Sequence, residues 1–123
     1  MSIRPPCLIQ KSEYDEIVAL WETAGLHFKP NGRDSHEAFA RQLDRGTQVA
    51  LGVRTEDGRL VGVVLPTHDG RKGWINRLAV DPAFRRQGIA LTLIRAAEDW
   101  LRAQGITIFA ALIEPGNDTS LAT

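Results

Sequence analysis

"NRLAVDPAFRRQGIALTLIRAAEDWL" spans Asn76–Leu101, and its reading sets the fold. An apolar, strand-like run stops at Asp81-Pro82. Arg85, Arg86, Gln87 and a lone Gly88 then precede a helical pattern in which Ala90, Ile94, Ala97 and Leu101 fall at i, i+4, i+7 and i+11. This predicts a helix from Gly88 to Gln104. The first turn of such a helix has amides without intrahelical partners, and their partial positive charge favours an anion. Arg85 and Arg86 stand at that mouth with the same sign as the dipole. A phosphate bound there resolves the conflict, because it accepts from amides and guanidinium groups together. Gly88 permits close backbone approach, and Ala90 is nearly as small. The plainer alternative is a solvated turn with a loop glycine; the strand before and the helix after favour a phosphate cradle.

Downstream, Gly105 suits the left-handed position that ends a helix, and "ITIFAALI" (Ile106–Ile113) is a near-continuous apolar run. Such a run predicts a buried strand parallel to "GWINRLAV" (Gly73–Val80), joined to it by a right-handed strand–helix–strand crossover. Upstream, "TQVALGVRT" (Thr47–Thr55) and "RLVGVVLPT" (Arg59–Thr67) read as strands, with Asp57-Gly58 as a tight hairpin between them. With "GWINRLAV" they make an antiparallel meander. Two helices precede it. One runs from about Glu13 to Ala24, capped by Ser12 with Asp15 three residues on, carries Ile17, Leu20, Trp21 and Ala24 on one face and stops at Gly25. The other starts at Asp34 or Ser35, carries Phe39 and Leu43 and ends near Gly46. Ile3–Arg4 opens a short first strand that Pro5-Pro6 limits. The order β-α-α-β-β-β-α-β predicts an α/β fold, a central mixed sheet flanked by helices, in one domain over residues 1–123.

The bulk numbers narrow the function. The chain has 123 residues, 43% apolar and 24% charged, an ordinary globular mixture. Lysine plus arginine number 15 and aspartate plus glutamate 15, so the net charge is zero. That balance argues against a general nucleic-acid binder. Neither a signal-like N-terminus nor a membrane-length apolar segment is visible, and one cysteine, Cys7, allows no intrachain disulfide, so the cytoplasm is the expected compartment. Two phosphate motifs are missing, Gly-x-x-x-x-Gly-Lys-Ser/Thr and Gly-x-Gly-x-x-Gly, which sets aside a P-loop nucleotidase and the dinucleotide-binding fingerprint.

"LAVDPAFRRQGIALTLIRAAEDWL" resembles the acetyl-CoA-binding motif of the GNAT superfamily of N-acetyltransferases, Arg/Gln-x-x-Gly-x-Gly/Ala, filled here by Arg85, Gly88 and Ala90. "ALIEPGNDTSLA" is similar to the family's fifth strand and the asparagine after it, with Asn117 and Ser120 at matching places. The resemblance runs from about Ile3 to the C-terminus, is most specific over Leu78–Ala90 and is weakest before Thr47. It implies the acyl-CoA N-acyltransferase fold. It also implies acetyl-CoA as co-substrate, with its pyrophosphate on the amides of Gln87, Gly88, Ile89 and Ala90 and with Arg85 and Arg86 nearby. The pantetheine arm would pair like an added strand with Leu78, Ala79 and Val80, and Asn117 would bond that arm or support the strand opening. An amide of that stretch would polarise the thioester carbonyl. The implied reaction is direct transfer of acetyl to a primary amine of a small molecule or a protein, after the amine has lost its proton. The family pattern continues with a tyrosine-bearing helix and a final strand. This chain stops at Thr123 and has its only tyrosine at Tyr14. The expectation is a domain incomplete at its C-terminus, whose "ITIFAALI" edge would be covered by dimerisation or strand exchange. A non-catalytic coenzyme A-binding module is the alternative, and a phosphate- or nucleic-acid-binding protein using Arg85–Arg86 a third.

No residue earns a catalytic assignment from sequence. Glu114 is a base or a solvated strand-end carboxylate; Cys7 is a buried or incidental thiol; His27, His36 and His68 lack metal-ligand spacing, so no metal is expected. Trp21, His27 and Phe28 fall in the helix–loop region that often lines the acceptor pocket in relatives, although a tryptophan placed like Trp21 is more often core. Trp74 and Trp100 read as packing residues. Asn76 and Arg77, adjacent on one strand, are expected on opposite faces.

Overall fold

The computed structural model describes residues 3–26 and 35–111. Its strands are β1 (Cys7–Leu8), β2 (Leu51–Arg54), β3 (Leu60–His68), β4 (Lys72–Val80) and β5 (Ile108–Ala111); its helices are α1 (Tyr14–Ala24), α2 (His36–Asp44) and α3 (Ile89–Ala103). The sheet runs β1-β2-β3-β4-β5, with each pair from β1 to β4 antiparallel and β5 parallel to β4. The element order matches the periodicity, and the sheet is mixed as expected.

Helices cover both faces. On one face α3 packs Ile89, Leu93, Ala97 and Leu101 against Val53, Val64, Ile75, Leu78 and Val80. On the other, Ile17, Leu20 and Trp21 of α1 and Phe39 of α2 pack against Val63, Leu65 and Ala79. Burying each of the larger side chains contributes about 1.5–3 kcal/mol. Two glycines bring α3 close. A Cβ on Gly62 would stand 2.7 Å from Ile89 Cγ2, and one on Gly73 would stand 2.8 Å from Leu101 Cδ2.

Several boundaries differ from expectation. Ile3 makes only an isolated bridge to Thr55, and β1 forms after the prolines, because Pro5 and Pro6 cannot donate to a ladder. Ser12 does not cap α1: it lies within a 3-10 turn, Lys11–Glu13, where the Gln10 amide donates to Glu13 Oε1 at 2.7 Å. Ser35 does cap α2, accepting from the Ala38 amide at 3.1 Å. β2 is shorter than its apolar run; Gln48 pairs with Thr67 through an isolated bridge, and Thr67 Oγ1 donates to Gln48 Oε1 at 2.8 Å. β5 reads as buried from its apolar run, but among the described residues it pairs with β4 alone and Ile108 is 63% exposed. The residues after Ala111 lie outside the described set.

Candidate active site

The corner between β4 and α3 is built by one carboxylate and two left-handed residues. Asp81, buried, accepts from the Ala83 amide at 2.9 Å through Oδ1 and from Arg59 Nη2 at 2.6 Å through Oδ2. That contact caps the turn Pro82–Phe84, whose proline has no amide to satisfy. The chain then places Arg86 at φ 67° and Gly88 at φ 77°, both left-handed. Gly88 is the residue that heads α3; among the described residues no side chain bonds the amides there, and a Cβ on Gly88 would meet none of them within 4 Å. Alternating left- and right-handed residues turn successive amides into a concavity that accepts an anion. A left-handed conformation at a residue with a Cβ costs about 1–2 kcal/mol, so Arg86 holds strain at this corner.

The side chains sort around that backbone. Ile89 and Ala90 point into the core, so only their amides face the corner. Arg86 and Gln87 are exposed. Arg85 is half-buried, and its Nε, shielded from solvent, has no acceptor among the described residues. A donor left unmet in that way suits an anionic ligand.

A second irregularity lies on β4. Asn76 pairs with Leu65 and Ala79 with Val63, so Arg77 and Leu78 together oppose Val64. This is a β-bulge. Arg77 adopts φ 58°, is buried, and sets its guanidinium carbon 4.7 Å from the ring centroid of Trp21. Strand alternation, the basis for expecting Asn76 and Arg77 on opposite faces, fails here: Ile75 and Leu78 both face α3 although they are three residues apart. β5 pairs with Lys72–Ile75. Leu78, Ala79 and Val80, all buried, lie beyond that pairing toward the α3 corner.

At the same end of the sheet, on the α1 face, a pocket of about 300 Å³ opens between Glu16, Leu20 and Thr23 of α1 and Arg59, Leu60 and Asp81. Glu16 accepts from Arg54, which holds its carboxyl below the usual glutamate range.

Residues 14–123 match the acetyltransferase (GNAT) family. An acetyltransferase of Yersinia enterocolitica is 32% identical over 111 residues, covering 90% of this chain and 77% of that protein. One from Photorhabdus laumondii is 30% identical over 114 residues, covering 93% and 78%. The chain belongs to the GNAT acetyltransferase family. Among solved structures, a PaiA N-acetyltransferase from Thermoplasma acidophilum in complex with coenzyme A superposes with a TM-score of 0.77 at 17% identity, over 99% of this chain and 86% of that one, which speaks for the fold.

As a GNAT protein the chain is an acetyl-CoA-dependent N-acetyltransferase. The β4–α3 corner fits a pyrophosphate, being open, uncapped and flanked by arginines. Of the residues singled out from sequence, Leu78–Val80 and Arg85–Ala90 come together at one end of β4. Asn117, Ser120, Glu114, His27 and Phe28 lie outside the described residues. Trp21 and Trp100 pack against the core, as expected of Trp100. Cys7 is exposed rather than buried. His36 stacks on Tyr14 and His68 packs against Trp100, at 5.0 Å and 5.6 Å between centroids. Among the described residues no cluster of metal-ligand type occurs, and no helix is long and apolar enough to cross a membrane. Sequence gave no signal for Arg59, whose tie to Asp81 exists only once the β2–β3 hairpin meets the end of β4.

Proposed function

We propose that this chain, working as one domain in the cytoplasm, transfers acetyl from acetyl-CoA to a primary amine of a small molecule or a protein. Acetyl-CoA supplies the activated acyl group. The amides of Gln87, Gly88, Ile89 and Ala90, supported by Arg85 and Arg86, bind the pyrophosphate. The backbone of Leu78, Ala79 and Val80 orients the pantetheine arm by strand-like pairing, and an amide of that stretch donates to the thioester oxygen as charge develops there. Asn117 bonds the arm or supports the strand opening. An amine acceptor attacks only in its neutral form, so the rate rises with pH until the acceptor is deprotonated.

The observation that supports this assignment is the head of α3: among the described residues no side chain bonds its amides, and space is open at Gly88. The experiment is Gly88→Glu, which puts a carboxylate where the phosphates would sit. Calorimetric titration with acetyl-CoA should then show binding lost at least about 100-fold, the loss of two charge-assisted contacts. Wild-type affinity in that variant removes the cradle. Release of free thiol over a panel of amines tests the reaction itself; tight acetyl-CoA binding with no release from any amine would make the chain a binding module instead.

A further inference from the structure

We infer that Arg77, laid over Trp21, is a positioning residue that keeps the β4 bulge set for the thioester. The inference rests on the proposal that acetyl-CoA lies along Leu78–Val80. A bulge reverses the facing of every residue that follows it, so the direction in which the Leu78–Val80 backbone presents its groups depends on the bulge persisting. The bulge is centred on Arg77, which takes φ 58°.

Glycine is the residue that adopts this conformation freely. Arginine at such a place needs surroundings that over-determine it. The surroundings are specific. Trp21 is 1% exposed, fixed in the α1 face among Ile17, Leu20 and Phe39, and the Arg77 guanidinium lies 4.7 Å from its ring centroid, within cation–π range. A planar guanidinium stacks on an indole in a way that a lysine ammonium does not reproduce. The side chain therefore ties the strained point of β4 to α1 across the sheet face. Glycine would serve the backbone alone at lower cost; what the arginine side chain adds at this point is its contact with Trp21.

The test uses Arg77→Gly, which accepts the left-handed conformation but removes the tie, and Arg77→Lys, which restores a cation without the flat stack. Two readouts need no acceptor amine. One is the infrared carbonyl stretch of acetyl-CoA labelled with carbon-13 at the carbonyl, which falls in frequency when the oxygen accepts a strong hydrogen bond. The other is hydrogen exchange at the Leu78–Val80 amides of the protein alone. The wild type should bind acetyl-CoA with a lowered carbonyl frequency. Arg77→Gly should bind within about threefold of wild type, lose most of the frequency shift and exchange faster at Leu78–Val80, with Arg77→Lys between the two. A full shift retained in Arg77→Gly overturns the inference. So does a shift lost only in step with affinity and melting temperature, which is what a purely structural arginine would give. A wild type that binds with an unshifted carbonyl overturns it while leaving the cradle standing, and a wild type that does not bind acetyl-CoA removes both.

Discussion

Gly88 heads α3 at φ 77° and ψ 9°, with open space where a side chain would begin. Two different demands meet at this residue. The backbone conformation is one that an L-residue adopts at a cost of about 1 kcal/mol or more, and the space in front is what a phosphate would fill. Alanine separates the two demands. Gly88→Ala should lower the unfolding free energy by about 1 kcal/mol in urea titration, while acetyl-CoA affinity falls far less than in Gly88→Glu. Equal loss of affinity in both variants would mean that the turn's conformation, not its openness, is what matters. Gly88 and the arginines before it were legible in sequence because charge sign and helix phase are local properties. Arg86 in the left-handed region was not, since nothing in its side chain asks for that conformation.

Among elements, α1 is fastened to the hairpin end of the sheet by one arginine. Arg54 on β2 donates to Glu16 at 2.8 Å and 3.1 Å, to the Gly58 carbonyl at 2.7 Å, and pairs with Glu13. The hydrogen bond from Arg54 is the chief cause that lowers the Glu16 pKa from 4.5, with the guanidinium charge adding to it and burial opposing. The unfolded chain therefore binds the proton more readily than the folded one. This contribution to stability is fully present above about pH 4.5 and is lost as pH falls through the lower folded value. Because the Glu16 side chain is 46% exposed, solvent screening keeps the effect well below about 1 kcal/mol. Denaturant titrations from neutral pH down to about 3 should show a shallower acid slope in Arg54→Met than in wild type. Parallel slopes would place the linkage elsewhere. Ser12 is not the cap of α1 for a related reason: Gln10 and Glu13 satisfy each other through a 3-10 turn that shifts the helix start to Tyr14.

For the molecule as a whole, the coenzyme corner is only as fixed as the seating of α3 on the sheet. Gly62 on β3 is a close point of that seating: an added Cβ would press on Ile89 Cγ2 at 2.7 Å and Leu93 Cδ1 at 3.0 Å. Ile89 is the first residue of α3, so the strain would reach the corner directly. Gly62→Ala should cost about 1–3 kcal/mol through overpacking and weaken acetyl-CoA binding at the same time. Adding Ile89→Val, which removes a methylene from the same α3 side chain, should recover part of both. The double-mutant cycle, by thermal unfolding and calorimetry, checks the coupling; additive effects would show that α3 can shift without disturbing the site.

The sequence by itself determined the element types and their order, the hairpin at Asp57-Gly58, the βαβ crossover and the backbone corner at Arg85–Ala90. All of these follow from hydrophobic period, turn residues and helix-end chemistry, which act within a few residues. Only the tertiary structure decided how exposed Ile108 of β5 is among the described residues, where β4 slips its register, and which cation meets Asp81 or Trp21. β5 reads as buried because its run is apolar, yet Ile108 is exposed, since burial is set by what packs on a strand rather than by its composition. The bulge at Arg77 arises from matching β4 simultaneously to β3, α1 and α3, a condition imposed by contacts between residues far apart in the chain.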